Sequence, residues 1–239
     1  MDKTYTIYKH LGATPLEALE RLRAQENIPA DMPMTYAGRL DPAAEGKLII
    51  LVGDECKKKD EYTGLDKTYL AEILIGVSTD SYDLLGLPTD VSAKEISLKE
   101  IETYLESQLG MHVQTYPPYS SKTVDGKQLH AYTNEGAEVD LPTHEVTLHS
   151  YDDVSVEEIS REDILVRVGD VASRVSGDFR QEKIVTAWAH LDMPEKLQLV
   201  LVELKVSSGF YVRQFAEDLG KALGTQACLY SLVRTEIGK

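Results

Sequence analysis

The amino-acid sequence predicts an α+β fold with a mixed or antiparallel central sheet flanked by helices. Hydrophobic residues recur at every second position in some segments and with a period of 3.6 in others, which indicates both strands and helices. The two kinds of segment are interspersed without the regular strand–helix alternation that is typical of parallel sheets. No linker rich in Pro, Gly or Ser and no internal repeat divides the 239 residues, so we expect one domain, residues 1–239.

The N-terminal segment predicts a strand followed by a helix. Apolar and polar residues alternate over residues 4–10, as in a half-buried strand. Thr14 can cap a helix, Pro15 suits its first position, and Glu17 completes a capping box. Three leucines then follow at helical spacing: Leu16, Leu19 and Leu22.

The rest of the chain contains further strands and helices. Ser97 and Glu100 form a second capping box, ahead of a helix that Gly110 ends. Five more segments are predicted as strands: 67–75, 111–115, 145–156, 164–171 and 197–206. The last of these alternates most strongly and should lie centrally in the sheet. Two more helices are predicted over residues 179–190 and 210–224.

The charge of the chain is strongly negative but unevenly distributed. It has 40 Asp and Glu against 25 Lys and Arg, a net charge of −15, which taken alone argues against a nucleic-acid partner. Residues 128–170 alone carry a net charge of −9, whereas residues 205–239 carry +2. An anion-binding face away from the acidic segment is therefore compatible with the sequence.

The sequence also indicates the compartment and limits the chemistry. Two cysteines are too few for a disulfide scaffold, and no apolar run is long enough for a secretion signal or a membrane span. We therefore expect a cytoplasmic protein without a membrane partner. The sequence contains no P-loop, dinucleotide fingerprint, G-x-S-x-G, H-E-x-x-H or C-x-x-C motif, so neither a metal nor a cofactor is expected.

A polar loop at residues 38–46 contains the first candidate for catalysis, Asp41. The loop holds two glycines, a proline and a single aspartate, and it leads into an apolar run. A second interpretation remains open at this point, because Asp41 could cap a short helix with Pro42 at its first position.

Two other segments carry candidate side chains. Residues 207–213 join the most strongly alternating strand to an amphipathic helix, and they place Tyr211 and Arg213 where they could reach a neighbouring loop. Tyr69 stands at the beginning of the strand predicted over residues 67–75. Each of these could also be an ordinary structural residue, since tyrosine favours strands and arginine is common on solvated helix faces.

Five segments, in this order along the chain, together resemble the TruB family of pseudouridine synthases. They are GRLDPAAEGKL at 38–48, DKTYLAEILIG at 66–76 with TDSYD at 79–83, YPPYSSKTVDGKQLHAYTNEG at 116–136, SSGFYVRQFAEDLGKALG at 207–224, and SLVRTEIG at 231–238. The resemblance implies the pseudouridine synthase fold, with a thumb-like insertion near residues 112–140 that grips RNA.

The resemblance also implies a reaction and assigns residues to it. The family converts uridine in RNA to pseudouridine without a cofactor, so a protein carboxylate must act as nucleophile. The match places this role on Asp41 and places the guanidinium that orients it on Arg213. Tyr69 matches the tyrosine that stacks on the base, Tyr211 a second active-site tyrosine, and Leu232 an apolar residue of the base pocket. The carboxylate attacks either C6 of the base or ribose C1′.

Some features depart from the family pattern. Tyr36 stands where relatives usually have a histidine that helps to displace the base, although tyrosine can still stack. Lys67 and Lys122 are further candidates for substrate binding. The segment near residues 158–195 is longer than expected, and we expect a short form of the family without its PUA-type RNA-binding domain.

The expected partner is the T-arm of tRNA, with uridine 55 of the T-loop as target and a monomeric protein. Two alternatives remain. A non-catalytic RNA-binding or tRNA-folding module on the same scaffold would agree with Tyr36 and with the acidic composition. A protein-interaction domain with an acidic face would leave Asp41, Tyr69 and Arg213 unexplained.

Overall fold

An eight-stranded sheet forms the centre of the molecule, of which the computed structural model describes residues 2–92, 94–137 and 139–238. The strands are β1 (Lys3–Lys9), β2 (Met34–Ala37), β3 (Glu45–Val52), β4 (Lys67–Ile75), β5 (Val77–Thr79), β6 (Pro88–Val91), β7 (Gly110–Thr115), β8 (Thr123–Val124), β9 (Lys127–Gln128), β10 (Thr143–Ser160), β11 (Lys196–Val206) and β12 (Ala227–Ile237). The helices are α1 (Pro15–Gln25), α2 (Lys59–Thr63), α3 (Leu98–Gln108), α4 (Leu129–Asn134), α5 (Arg161–Arg174), α6 (Gln181–Ala189) and α7 (Val212–Ala222), and a 3₁₀ helix spans Gly53–Lys58.

The central sheet is mixed, as the sequence predicts. Its strand order is β1-β3-β12-β4-β11-β10-β7, and β2 pairs with β3 on the edge opposite β1, because residues 49–52 of β3 pair with both strands. β3 and β12 run parallel, whereas the other neighbouring strands of this sheet pair antiparallel. β4 lies between β11 and β12, so that Tyr69 is in register with Leu204 on one side and Arg234 on the other.

The helices cover both faces of the sheet. On one face, α3 and α7 pack against alternate residues of β4 and β11, with Ile101 and Phe215 fully buried. On the opposite face, α5 and α6 contribute Ile164, Ile184 and Trp188 to a second buried cluster. Because successive side chains of a strand point to opposite faces, β4 and β11 can supply both clusters. None of the helices in the described residues is both long and apolar enough to cross a bilayer.

The structure confirms the capping signals in the sequence. Thr14 and Ser97 each cap a helix, and the capping boxes with Glu17 and Glu100 are both formed. Gly110 follows the end of α3 with a φ of +88°, a conformation that suits glycine. The strand predicted over residues 67–75 has those bounds, and that predicted over 197–206 is β11, inside the sheet.

The strand predicted over residues 164–171 is wrong, because this segment lies in helix α5. The Ser160 side chain accepts a hydrogen bond from the Asp163 backbone N–H at 3.1 Å and caps the helix. The buried residues then recur with a helical period: Ile164, Val168, Val171 and Ala172. Several β-branched residues favour a strand locally, but burial of this face against α6 and the sheet favours the helix.

Candidate active site

Asp41 and Arg213 form an ion pair at the N-terminal end of helix α7. Asp41 lies in the loop between β2 and β3, and Arg213 lies in the first turn of α7. Arg213 Nε is 2.9 Å from Asp41 Oδ2. The side chain of Arg213 is only 7% exposed, whereas that of Asp41 is 45% exposed. The cation is therefore fixed inside the protein, and the carboxylate remains accessible to a ligand.

Two other chain segments hold the guanidinium of Arg213 in place. Its Nη1 donates to the carbonyl oxygen of Ser81 at 3.0 Å, and its Nη2 donates to that of Tyr119 at 3.2 Å. Asp83 Oδ2 lies 3.7 Å from Nε and is also buried. Although burial opposes the charged form, Asp41 and Asp83 raise the pKa of Arg213 above its ordinary value. The guanidinium thus remains a fixed positive charge beside Asp41.

The loop at residues 79–86 is rigidly built around Asp83. The Ser81 hydroxyl donates to Asp83 Oδ1 at 2.6 Å, and the Leu85 N–H donates to the same oxygen at 3.0 Å. Burial raises the pKa of Asp83, and Arg213 opposes this shift. Tyr82 adopts a φ of +65°, which is uncommon for a non-glycine residue. Strained backbone of this kind persists where the surrounding contacts hold it, as they do around Arg213.

Tyr211 lies two residues before Arg213, and the side chain of Gln114 holds its backbone. The Gln114 side chain accepts from the Tyr211 N–H at 2.8 Å and donates to its carbonyl at 3.1 Å. The Tyr211 ring meets Tyr116 edge to face, with 5.5 Å between ring centroids. Burial, with a contribution from the charge of Asp41, raises the pKa of Tyr211 to about 12. Its phenol is therefore a neutral hydrogen-bond donor at physiological pH.

Apolar residues that adjoin the ion pair in the chain share one buried cluster with Tyr69 and Leu232. Tyr69 and Leu232 are nearly buried, on the neighbouring strands β4 and β12. Both belong to the same apolar cluster as Leu40, the residue before Asp41, and Phe210, which precedes Tyr211. The Asp41 carboxylate, the Arg213 guanidinium, Tyr69, Tyr211 and Leu232 thus come from four separate chain segments.

Arg234 holds the Asp41 loop, and the sequence analysis did not identify it. Its side chain is 1% exposed, and it donates to the carbonyl oxygens of Lys47 at 2.7 Å, Arg39 at 3.1 Å and Gly38 at 3.3 Å. These three carbonyls flank Asp41 on both sides. The signal in the sequence was an arginine at an inward-facing position of the SLVRTEIG segment, from which only Leu232 was selected.

The close approach of β12 requires a glycine at position 46, near the start of β3. The parallel pairing of β3 with β12 places Gly46 opposite Arg234, with a φ of +120°. A Cβ atom at this position would lie 2.3 Å from the Arg234 carbonyl oxygen. Any side chain here would push β12 away and displace the arginine that holds the loop.

The alternative interpretation of Asp41 as a helix cap is wrong. Residues 42–43 form a single turn that leads into β3, closed by the Ala44 N–H donating to the Asp41 carbonyl at 3.0 Å. The Pro42 carbonyl accepts from the Gly12 N–H at 2.9 Å, which ties the loop to the segment before α1. No helix begins at Pro42, so the Asp41 side chain has no helix N-terminus to satisfy.

The three remaining sequence candidates lie in different environments. Tyr36 packs in the cluster beneath α1, apart from the cluster that contains Tyr69. Lys67 is buried, and its ammonium donates to the carbonyls of Thr63 and Leu65, so these contacts use two of its three donors and hold the turn before β4. Lys122 is exposed, with its Nζ 5.2 Å from the centroid of the Tyr116 ring.

The sequence of this chain is similar to those of a known protein family. Residues 32–171 match the family described as TruB family pseudouridylate synthase (N terminal domain). The tRNA pseudouridine synthase B of Ureaplasma urealyticum serovar 10 is 31% identical over 205 residues, which cover 85% of this chain and 73% of the relative. That of Fusobacterium nucleatum is 26% identical over 239 residues, which cover the whole chain and 69% of the relative.

Solved structures show the same fold. A Cbf5-Nop10-Gar1 complex contains a chain that matches with a TM-score of 0.59 and 16% identity, over 98% of this chain and 48% of that one. An H/ACA RNP bound to a substrate RNA containing 2'-deoxyuridine matches with a TM-score of 0.56 and 16% identity, over 98% and 47%. This chain thus spans about two thirds of those two curated relatives and about half of these structural neighbours.

Proposed function

This chain belongs to the TruB family of pseudouridylate synthases, and from that premise we propose that it isomerises uridine to pseudouridine in tRNA. The names of the curated relatives, tRNA pseudouridine synthase B, support tRNA as the substrate class. The five sequence segments that resemble the family support uridine 55 of the T-loop as the target. Residues 1–239 act as one catalytic domain, with a thumb near residues 112–140.

The observation that carries this proposal is the pairing of the accessible Asp41 carboxylate with the buried Arg213 guanidinium. In the isomerisation, the bond from ribose C1′ to N1 breaks, the uracil turns over, C1′ bonds to C5, the C5 proton leaves, and N1 takes up a proton. Asp41 is the nucleophile that supports this exchange covalently. Its solvent-accessible side chain, 2.9 Å from Arg213 Nε, can be approached by a nucleoside without first breaking a buried contact.

Arg213 holds the carboxylate of the nucleophile in a fixed orientation, with its Nε 2.9 Å from Asp41 Oδ2. Its Nη1 and Nη2 donate to the carbonyls of Ser81 and Tyr119, so rotation away from Asp41 would leave these carbonyl groups unpaired. The geometry is therefore set before the substrate arrives, which lowers the cost of reaching the transition state.

The apolar surface beside the pair receives the uracil ring. A base must leave its stack to reach Asp41, at a cost of a few kcal/mol. Stacking on an aromatic ring recovers about 1–3 kcal/mol per base, and Tyr69 and Leu232 supply apolar surface for this. Tyr211 stays protonated because its pKa is about 12, so it can donate a hydrogen bond to a base or ribose oxygen.

The thumb supplies contacts to the T-arm. Tyr116 and the exposed Lys122 lie together near Tyr211, with an aromatic ring beside a cation. Rings and cations in this arrangement bind bases and phosphates in a way that weakens with salt.

The experiment that tests the proposal is incubation of the purified protein with a T-arm transcript, followed by mapping of pseudouridine. We expect one modified nucleotide, uridine 55, and no modification of a control transcript with cytidine at that position. Salt-sensitive binding with no modification would support the non-catalytic RNA-binding module instead. Modification at another uridine would contradict the T-loop target but retain the reaction.

A further inference from the structure

The connection between β10 and β11 is much longer than its geometry requires. The two strands pair antiparallel up to Ser160 and Lys196, so a turn of a few residues could join them. Helices α5 and α6 occupy the connection instead. Trp188 of α6 is fully buried and donates its indole N–H to the Gly86 carbonyl at 3.1 Å. The helical connection is therefore docked against the loop that contains Ser81 and Asp83.

Arg180, at the start of α6, makes the closest contact of this connection with the active-site loops. Its Nη1 is 2.6 Å from Asp80 Oδ2 and its Nη2 is 3.2 Å from Asp80 Oδ1, a bidentate ion pair. The guanidinium carbon also lies 4.9 Å from the centroid of the Tyr119 ring. The Tyr119 hydroxyl in turn donates to Asp80 at 3.4 Å. The three side chains form one cluster, partly buried and built from three chain segments.

This cluster leads directly to Arg213. Asp80 precedes Ser81, whose carbonyl accepts from Arg213 Nη1. Tyr119 itself provides the carbonyl that accepts from Arg213 Nη2. The Arg180 side chain therefore joins the two backbone segments that hold the guanidinium of Arg213.

The backbone at Arg180 indicates that its side chain is needed there. Its φ is +63°, a left-handed conformation that glycine adopts without strain and that is uncommon for other residues. The Asp178 side chain accepts from the Arg180 N–H at 3.1 Å and supports this conformation. A residue with a long side chain persists at such a position where its contacts offset the strain.

We propose that Arg180 is a positioning residue for Arg213, through which the helical connection of residues 161–195 fixes the catalytic ion pair. The effect on rate rests on the proposed function, whereas the effect on the two backbone segments does not. A different role, a direct contact of Arg180 with an RNA phosphate, would act on binding rather than on the chemical step.

The test compares Arg180→Met with Lys183→Met, which removes the same charge from an exposed position on α6. For Arg180→Met we expect a single-turnover rate at saturating T-arm RNA that is lower by about 10- to 100-fold, since small displacements of reacting groups have effects of this size. The dissociation constant and its salt dependence should stay within about twofold of wild type. Lys183→Met should match wild type in both. A weaker affinity with an unchanged rate would overturn the proposal.

Arg180→Lys and Asp80→Asn refine the comparison. Lysine keeps the charge but not the bidentate geometry, so the rate should still fall, whereas a phosphate contact would be retained. Asp80→Asn should lower the rate similarly, and the double variant of Arg180→Met with Asp80→Asn should be no slower than the slower single variant. Independent, multiplying effects would contradict a shared role.

Hydrogen exchange tests, independently of enzymatic activity, whether Arg180 orders the two backbone segments that hold Arg213. Amides of residues 79–86 and 119–121 should exchange at least about tenfold faster in Arg180→Met than in Lys183→Met, because their local opening becomes less costly. Equal exchange would overturn the proposal. If wild type modified no RNA at all, the proposed function would fail, and this measurement would still decide whether Arg180 orders the two segments.

Discussion

The two halves of the Asp41–Arg213 pair are anchored in different ways. On the carboxylate side, Arg234 is 1% exposed on strand β12 and bonds to three backbone carbonyls around Asp41. On the guanidinium side, the Arg180 side chain is 29% exposed and pairs with the Asp80 carboxylate from a helical connection. The carboxylate side is held by a residue of the sheet, Arg234, whereas the guanidinium side is held by Arg180, which lies outside the sheet. Changes on the first side should therefore affect stability, and changes on the second should affect geometry.

Among substitutions of the arginines around Asp41, we expect Arg213→Lys to have the largest effect on the rate, because it removes the guanidinium that contacts Asp41 directly. A single ammonium cannot reach Asp41 and both carbonyls that Arg213 now contacts. We expect the single-turnover rate to fall by about 10²- to 10³-fold, the size of effect found when one preorganised donor is removed. Circular dichroism and a thermal scan should show the fold retained. A rate within about tenfold of wild type would contradict a geometric role for the guanidinium.

Arg234→Met tests whether the carboxylate side contributes to the stability of the fold. Its loss leaves three carbonyls of the Asp41 loop without their donor, so the free energy of unfolding should fall by roughly 2–4 kcal/mol. Urea unfolding measures this change. The matched control is Arg174→Met on α5, whose side chain is 55% exposed and should contribute about 1 kcal/mol or less. Equal effects of the two substitutions would argue against an anchoring role for Arg234.

The smallest effect is a pH dependence on the carboxylate side, where Lys9 and Lys67 are buried near Arg234. Burial lowers the pKa of Lys9 to about 8, and its ammonium donates to the Ala13 carbonyl at 2.7 Å. The unfolded chain, with a lysine pKa of about 10.4, holds this proton over a range in which the folded chain loses it. The free energy of unfolding of wild type should therefore rise relative to Lys9→Met as the pH increases from about 8 to 10.4.

Urea unfolding of both proteins at several pH values measures this difference. It should be constant below pH 8 and increase above it, because only wild type releases the buried proton. A difference that stays flat up to about pH 10 would show that Lys9 keeps an ordinary pKa and that the carboxylate side tolerates its charge.

Local signals in the sequence were sufficient for much of the fold. Capping boxes at Thr14 and Ser97, and the alternation of residues 67–75, depend on neighbours within a few positions and were predicted correctly. The segment at 164–171 was not, because its β-branched residues favour a strand until packing against α6 decides for a helix. Strand β12 was also not predicted, since its pairing with β3 and β4 is non-local.

The residues of the candidate site likewise fall into those that the sequence predicted and those that it did not. Motifs in the sequence led to Asp41 and Arg213, and the structure places them in contact across 172 positions of the chain. The residues that hold them were not identified: Arg180 meets Asp80 across 100 positions, and Arg234 meets the Gly38 carbonyl across 196. A buried arginine that binds carbonyls has no local pattern, because its partners are chosen by the topology of the sheet.

The measurement that tests the central claim most directly is tritium release from a T-arm transcript labelled at C5 of uridine, with wild type and Asp41→Asn compared in single turnover. Asparagine keeps the size of the side chain but removes the nucleophilic carboxylate. We predict release by wild type and a rate about 10⁴-fold lower or less for Asp41→Asn, with RNA binding retained. Release by Asp41→Asn within about tenfold of wild type would contradict Asp41 as the nucleophile.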